Sequence, residues 1–192
     1  MIYKIIWAFQ GLLLSFFFGS YKFPSYVSFP IFSIGLRKVH IGKKVRIFKG
    51  FRVETHGSGE IHINDDVSIG QNFHITSAGK IVIEPGVIIS ANVFVTDIDH
   101  EYRDIKLPVS SQPLIISNTC IGQNSFIGIG ACIQAGTKLG KHCVVGCNSV
   151  VRGSFPDYSV IVGAPAKIVK RYNKKTNSWD KTDSKGNFLD EI

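Results

Sequence analysis

From residue 115 onward the chain repeats every six residues, and no other feature constrains its fold as tightly. Ile115, Ile121, Ile127, Ile133, Leu139, Val145 and Val151 hold one position of seven consecutive hexads. Ile, Leu and Val fill roughly a quarter of the chain, so such a run in a fixed register has odds of about one in ten thousand. The following position is often Gly (Gly122, Gly128, Gly140, Gly146). Four places on stands a small or hydroxyl residue: Thr119, Ser125, Ala131, Thr137, Cys143 or Ser149. An earlier run shares the period, with Ile63, Ile69, Ile75 and Ile81, then Ile83, Ile89 and Val95 after a shift of two residues. Ile41, Ile47 and Val53 begin it, and Gly57, Ser58 and Gly59 interrupt it.

A period of two would indicate an ordinary β-meander. A period of six means short straight segments joined at regular corners. Three such segments close a triangular coil with the aliphatic positions pointing inward, and coils stack. β-Branched Ile and Val suit these inward ladders because they pack well on a pleated surface. Each coil covers the backbone of its neighbour, so open edges arise only at the two ends. The expected fold is all-β: a parallel β-helix in the form of a triangular prism.

At 192 residues the chain fits one domain with short additions. An apolar lead-in is expected over 1–36, the β-helix over 37–166 with a loop extruded at 97–113, and an extension over 167–192. The net charge of +8 fits a basic surface for phosphates or anionic lipid, or a solvated basic face. It is not a run with interleaved aromatics, which argues against nucleic acid. Cys120, Cys132, Cys143 and Cys147 all lie in the regular repeat without paired CxxC spacing. They are expected as buried, reduced substitutes for small apolar residues, which indicates a reducing, cytoplasmic compartment.

The segment from Ile5 to Phe18 is almost wholly apolar and flanked by Lys4 and Lys22. It is shorter than the roughly 20 residues a membrane span needs, and no small-x-small cleavage site follows it. As a helix it gathers Ile5, Ile6, Phe9, Leu12, Leu13, Phe16 and Phe17 on one face. That face either lies peripherally on the cytoplasmic surface of the inner membrane or packs on the protein's own body or a neighbouring subunit.

Ile161-Val-Gly-Ala-Pro-Ala-Lys167 is similar to the signature closing the β-helix of the hexapeptide-repeat acyltransferases. Arg171-Tyr-Asn and Trp179 are similar to the tail of the lipopolysaccharide O-acetyltransferase branch. From about Ile41 to Tyr172 the chain resembles the sugar O-acetyltransferases of surface polysaccharide synthesis. The resemblance implies a left-handed coil, a homotrimer, and acetyl-coenzyme A as co-substrate. A glycan or lipid-linked sugar precursor is the implied acceptor.

The hexads fail between Val95 and Ile115, where the chain reads Thr96-Asp-Ile-Asp-His100-Glu-Tyr-Arg-Asp. The family carries a catalytic histidine here, commonly in an Asp-His-x-His pattern. In this chain Ile98 replaces the first histidine and His100 takes the second place. Transfer to a hydroxyl needs a base, and imidazole titrates near neutrality. His100 is therefore the expected base, with Asp97 or Asp99 holding its tautomer. No nucleophile elbow is present and the cysteines fall inside repeats, so direct transfer is expected rather than an acyl-enzyme.

By the same resemblance the pantetheine arm of coenzyme A meets backbone around Ile129 and Cys147, and its phosphates meet Arg152, Lys167 and Lys170. Asn72 and His74 are candidate acceptor contacts or plain surface corners. Phe126, where many relatives carry Trp, is expected to border the acceptor. No histidine pair has HExxH or similar spacing, so no metal is expected. Two alternatives stand beside the O-acetyltransferase reading. One is an N-acetyltransferase of an amino sugar nucleotide or an antibiotic. The other is a scaffold that has lost catalysis, against which His100 on its disrupted loop argues.

Overall fold

The computed structural model describes residues 2–189, and in it the hexad positions turn inward as expected. Ile121, Ile127, Ile133, Val145 and Val151 are fully buried and Leu139 nearly so, as are the earlier members from Ile41 to Val95. The small residues four places on, Thr119 through Ser149, are buried beside them. The fold is a left-handed β-helix of three parallel walls. The first wall runs from Ser20–Tyr21 through Val39–Ile41, Glu60–Ile63 and Lys80–Ile83 to Thr119–Ile121 and beyond. The second runs from Tyr26–Val27 through Ile88–Ile89 and Phe126–Ile127 to Ser159–Gly163. The third runs from Phe32–Ile34 through Arg52–Thr55, His74–Ser77 and Phe94–Thr96 to Cys132–Ile133 and Val150–Val151.

The corner joining the second wall to the third shows how the sequence turns the chain. Gly50, Asn72, Asn92, Gly130 and Asn148 follow one another up this edge, all with positive φ. The left-handed conformation is one that Gly and Asn adopt most readily. The Asn72 amide donates to the Asn92 side chain above it, at 3.1 Å. The small residue after each inward position answers a second constraint. A Cβ on Gly128 would lie 2.7 Å from the backbone nitrogen of Cys147 on the next coil.

Four expectations need correction. Ile115 fits the hexad count but is only half-buried, outside the prism, on a strand Leu114–Ile116. The inward ladder resumes at Ile121, because the period continued by coincidence across the end of an insertion. Of the cysteines only Cys143 fills a buried small-residue position. Cys120 and Cys132 face outward from their strands and Cys147 is exposed at a corner, all four as free thiols. The coils begin at Ser20, ahead of the expected boundary at 37, since Ser20–Tyr21 already pairs in parallel with His40 and Ile41. The extension after Ala166 is an antiparallel continuation of the second wall, through Ala166–Asn173 and Ser178–Lys181.

The fourth correction concerns the N-terminal helix α1, Ile2–Leu14. It packs on the first coil through Trp7, Gly11, Leu14 and the following Phe18. Trp7 meets Phe48 edge-on at 5.0 Å, and a Cβ on Gly11 would strike the Tyr21 hydroxyl. The stripe from Ile5 to Phe17 does not pack on the protein's own body and is exposed on the opposite side. Packing and an open apolar face are thus both present on one helix.

Candidate active site

Ile83 pairs with Ile121, 38 positions on, whereas Ile121 pairs with Leu139, 18 positions on. The extra residues leave the third wall after Thr96 as an ordered arm. Its two strands, Ile98–His100 and Leu114–Ile116, run antiparallel, with His100 opposite Leu114. At the tip Glu101 takes an ion pair from Arg103 at 2.7 Å. The buried Gln112 amide donates to the carbonyls of Asp104 and Leu107 at 3.0 Å each. These bonds hold the arm in one shape without a core of its own.

Asp97 fastens the arm to the prism. Its carboxylate is fully buried and accepts from Ser77 Oγ at 2.6 Å and from the backbone N–H groups of Ala78 at 2.8 Å and Gly79 at 3.0 Å. Its own carbonyl accepts from Ser117 N–H at 2.9 Å, closing the arm's other strand onto the same point. Proposed as one of two holders of the His100 ring, Asp97 is instead the anchor of the arm. The Asp99 carboxylate is engaged elsewhere as well. One oxygen accepts from the His100 backbone N–H at 2.9 Å, and the other pairs with Arg152 at 2.9 Å. The His100 backbone bond, followed by the Arg152 guanidinium, holds the Asp99 carboxyl below its ordinary range against a desolvation that opposes it. Among the described residues neither carboxylate bonds the ring of His100, which is exposed.

Beneath the root of the arm the third wall presents a shallow cavity of about 160 Å³. Phe94, Thr96, Asp99, Cys132 and Arg152 line it. His74 lies one coil below Phe94, with the ring centroids 4.9 Å apart. Its Nε2 lies 3.1 Å from Glu54 Oε1, and Arg52 Nε donates to the same oxygen at 2.5 Å. Burial alone would raise the Glu54 carboxyl. The bonds from Arg52 and His74 outweigh it and leave the group lowered. Glu54 and Phe94 escaped sequence reasoning because they meet His74 only through coil register, Glu54 one coil earlier and Phe94 one coil later.

The residues expected to hold coenzyme A fall in three places. Ile129 and Cys147 are exposed and stacked at successive turns of one corner, where Asn148 N–H donates to the Ile129 carbonyl at 2.9 Å. Arg152 follows the last strand of the third wall and is engaged by Asp99. Lys167 and Lys170 lie on Ala166–Asn173, where a spacing of three would put them on opposite faces of a regular strand. A bulge changes this: Lys167 pairs with Val162 and Lys170 with Val160, so both share the outer face. Phe126 is exposed on the second wall, a different face from the cavity under the arm. Asn72 is a corner residue with its amide engaged by Asn92.

A further cluster lies on the first wall. His40, Glu60 and His62 bring potential ligand atoms within 4.8 Å of one another, a grouping across coils that motif spacing cannot reveal. The two rings stack at 4.5 Å and 17° from parallel, so their lone pairs do not converge on one point. Burial, then the neighbouring His62, holds the His40 ring below its ordinary value. His62 Nε2 lies 3.0 Å from Glu60 Oε2 and His40 Nδ1 3.1 Å from Ser20 Oγ, which satisfies both rings as they stand.

The structure defines a left-handed β-helix with an ordered arm, rooted on the third wall above a shallow cavity and carrying His100. Comparison with known proteins agrees. Residues 118–153 match the family described as bacterial transferase hexapeptide (six repeats). A putative lipopolysaccharide biosynthesis O-acetyl transferase, WbbJ of Escherichia coli K12, is 35% identical over 162 residues, covering 81% of this chain and 83% of that protein. The dTDP-4-amino-4,6-dideoxy-D-glucose acyltransferase of Escherichia coli is 32% identical over 146 residues, covering 73% and 76%. In fold the chain resembles AntD, an N-acyltransferase from Bacillus cereus solved with dTDP-4-amino-4,6-dideoxyglucose and coenzyme A. The TM-score is 0.74 at 18% identity, over 87% of this chain and 91% of that one. The chain belongs to the bacterial hexapeptide-repeat transferases, and within them it is an acyltransferase.

Proposed function

We propose that the protein transfers an acetyl group from acetyl-coenzyme A to a hydroxyl of a sugar in a surface polysaccharide precursor. His100 acts as general base. The observation that carries this reading is the arm itself: its root is clamped by Asp97, and it carries an exposed imidazole next in sequence to Asp99, which lines the cavity under the arm. In the reaction His100 takes the proton of the acceptor hydroxyl as its oxygen attacks the thioester carbonyl. The tetrahedral adduct then collapses, the carbon–sulfur bond breaks, and the imidazolium returns the proton to the departing thiolate. Arg152, Lys167 and Lys170 are the cations suited to the phosphates of coenzyme A. Use of a coenzyme A thioester fits a cytoplasmic enzyme.

The working form in this reading is a homotrimer. Support comes from the arm, whose Ile105 is 95% exposed. Tyr102, Leu107 and Val109 are exposed beside it, an apolar set suited to cover by a neighbouring subunit. A trimer would also let the arm of one chain face the second wall of the next, bringing His100 and Phe126 to one site.

A second reading is favoured by the amino sugar acyltransferase among the relatives: transfer to an amine of a nucleotide-linked sugar. Incubation with acetyl-coenzyme A and a panel of hydroxyl and amino sugars, following thiol release, tests both. Hydroxylamine cleaves an ester product and leaves an amide intact. Hydroxylamine-labile product supports the first reading. Stable product from amino sugars alone would replace it with the second.

A further inference from the structure

Helix α1 has two apolar faces of different fate. Trp7, Gly11, Leu14 and Phe18 recur at spacings of four, three and four, which place them on one side, and that side is buried on the first coil. Ile5, Phe9, Leu12 and Phe16 follow the same spacing on the opposite side and are 72%, 62%, 52% and 71% exposed. Ile6, Leu13 and Phe17 widen this outer stripe and are also exposed. Seven large hydrophobic residues side by side in water are far more than scattered surface apolarity. The helix is 13 residues long, about 20 Å at 1.5 Å per residue, against a hydrocarbon thickness of about 30 Å. No described helix is long and apolar enough to cross a membrane.

Charge identifies the occupant. Every charged side chain before Glu54 is a Lys or Arg, nine in all. The rest of the chain carries 13 Lys and Arg against 14 Asp and Glu. The excess positive charge of the protein therefore lies wholly at the end of the prism that bears α1. Two of the nine are paired, Arg46 with Asp66 and Arg52 with Glu54. The other seven have no acidic partner among the described residues. A second copy of the chain docking through this end would bring like charges together. An anionic bilayer surface offers both an apolar layer for the stripe and negative headgroups for the cations.

We propose that this end of the protein is a docking surface for an anionic lipid bilayer. The helix lies in the plane of the interface, held in orientation by its buried face, and inserts the stripe from Ile5 to Phe17. Because the helix is fixed to the first coil, docking sets the direction of the prism axis relative to the membrane. The inference stands whether the acceptor is a hydroxyl or an amino sugar.

The test is co-sedimentation of the full chain with vesicles of phosphatidylcholine alone, or with about 30% phosphatidylglycerol. Binding at least tenfold stronger to the anionic vesicles, weakening as salt is raised, is expected. The Phe9→Ser/Phe16→Ser variant should lose it with melting temperature and oligomeric mass unchanged, since neither side chain is buried. Retention of the wild type in the supernatant, or equal binding to both vesicle types, would overturn the proposal. A variant that falls to a smaller oligomer would assign the stripe to a subunit contact instead. Wild-type salt dependence decides the charge argument without any variant.

Discussion

Asp97 Oδ2 accepts a 2.6 Å hydrogen bond from Ser77 Oγ on the coil below, and the same carboxylate takes the N–H groups of Ala78 and Gly79. The residue that opens the insertion is thereby fixed to the prism three times over. Asp97→Ala would take the side-chain acceptor from the buried Ala78 N–H and the half-buried Gly79 N–H and leave Ser77 Oγ only its longer bond to the Glu60 carbonyl, a loss of roughly 3 kcal/mol. The expected outcome is a lower melting temperature and rapid protease cleavage between residues 98 and 116 in an otherwise intact prism. Ser77→Ala removes one bond and should be milder on both measures. An Asp97→Ala protein with a protease-resistant arm would show that the tip contacts alone hold it.

His100 lies beyond that anchor, exposed and outside the core. His100→Ala should lower turnover by roughly 100-fold or more, the usual scale for a general base, with the melting curve unchanged. Near-normal turnover in the folded variant would remove His100 from the mechanism and direct attention to His74, whose Nε2 is engaged by Glu54.

The inward ladders and the break that becomes the arm were legible because a six-residue period records burial directly. The extent of that legibility is visible at Ile115 and Ile121, identical in phase, of which only Ile121 is in the core. The site is harder to read. His74, Glu54 and Phe94 are linked by stacking of coils of unequal length: the register partner of His74 is 22 residues earlier at Arg52 and 20 later at Phe94, and Glu54 reaches it diagonally. Asp97 and Asp99 look equivalent in sequence, two residues apart in the same polar run. One is buried under the wall and the other faces Arg152, a difference that depends on where the arm leaves the prism.

The core register has a direct test in two isoleucines. Ile133 is fully buried and Ile129, one corner earlier, is 45% exposed. Ile133→Asp places a carboxylate among the inward ladders at a cost of several kcal/mol and should yield insoluble or unfolded protein. Ile129→Asp should fold with a melting temperature within a few degrees of the wild type. Equal behaviour of the two would contradict the register.

Glu54 makes the stability depend on pH. Its carboxyl is held below its ordinary value near 4.5 by Arg52 and His74 despite burial. A depressed carboxyl contributes stability that is fully present above the unfolded value and is lost as pH falls through the folded one. The melting-temperature gap between wild type and Glu54→Gln should be present near pH 7 and close as pH falls below the ordinary carboxyl range. A gap that persists unchanged into acid would mean that the ionised form is not the stabilising one.

The bulge at Val169 makes the last prediction specific to two lysines. It returns Lys170 to the outer face that Lys167 occupies, opposite Val160 and Val162, so the pair forms one patch. Coenzyme A carries a diphosphate and a separate 3′-phosphate, and a cationic pair suits the dianionic 3′ group. If the patch meets that phosphate, Lys167→Gln/Lys170→Gln should weaken coenzyme A by tenfold or more. Dephospho-coenzyme A, which lacks the group, should be nearly unaffected. Isothermal titration of both ligands against both proteins forms a closed cycle, and the coupling is read from the difference rather than from either affinity alone. Equal losses for the two ligands would place the lysines at the diphosphate, and no loss for either would return them to a solvated face. Deleting Val169 adds a check on geometry. It removes the bulge and shortens the spacing to two, which a regular strand keeps on one face opposite Val160 and Val162, so the preference for coenzyme A over its dephospho form should be retained.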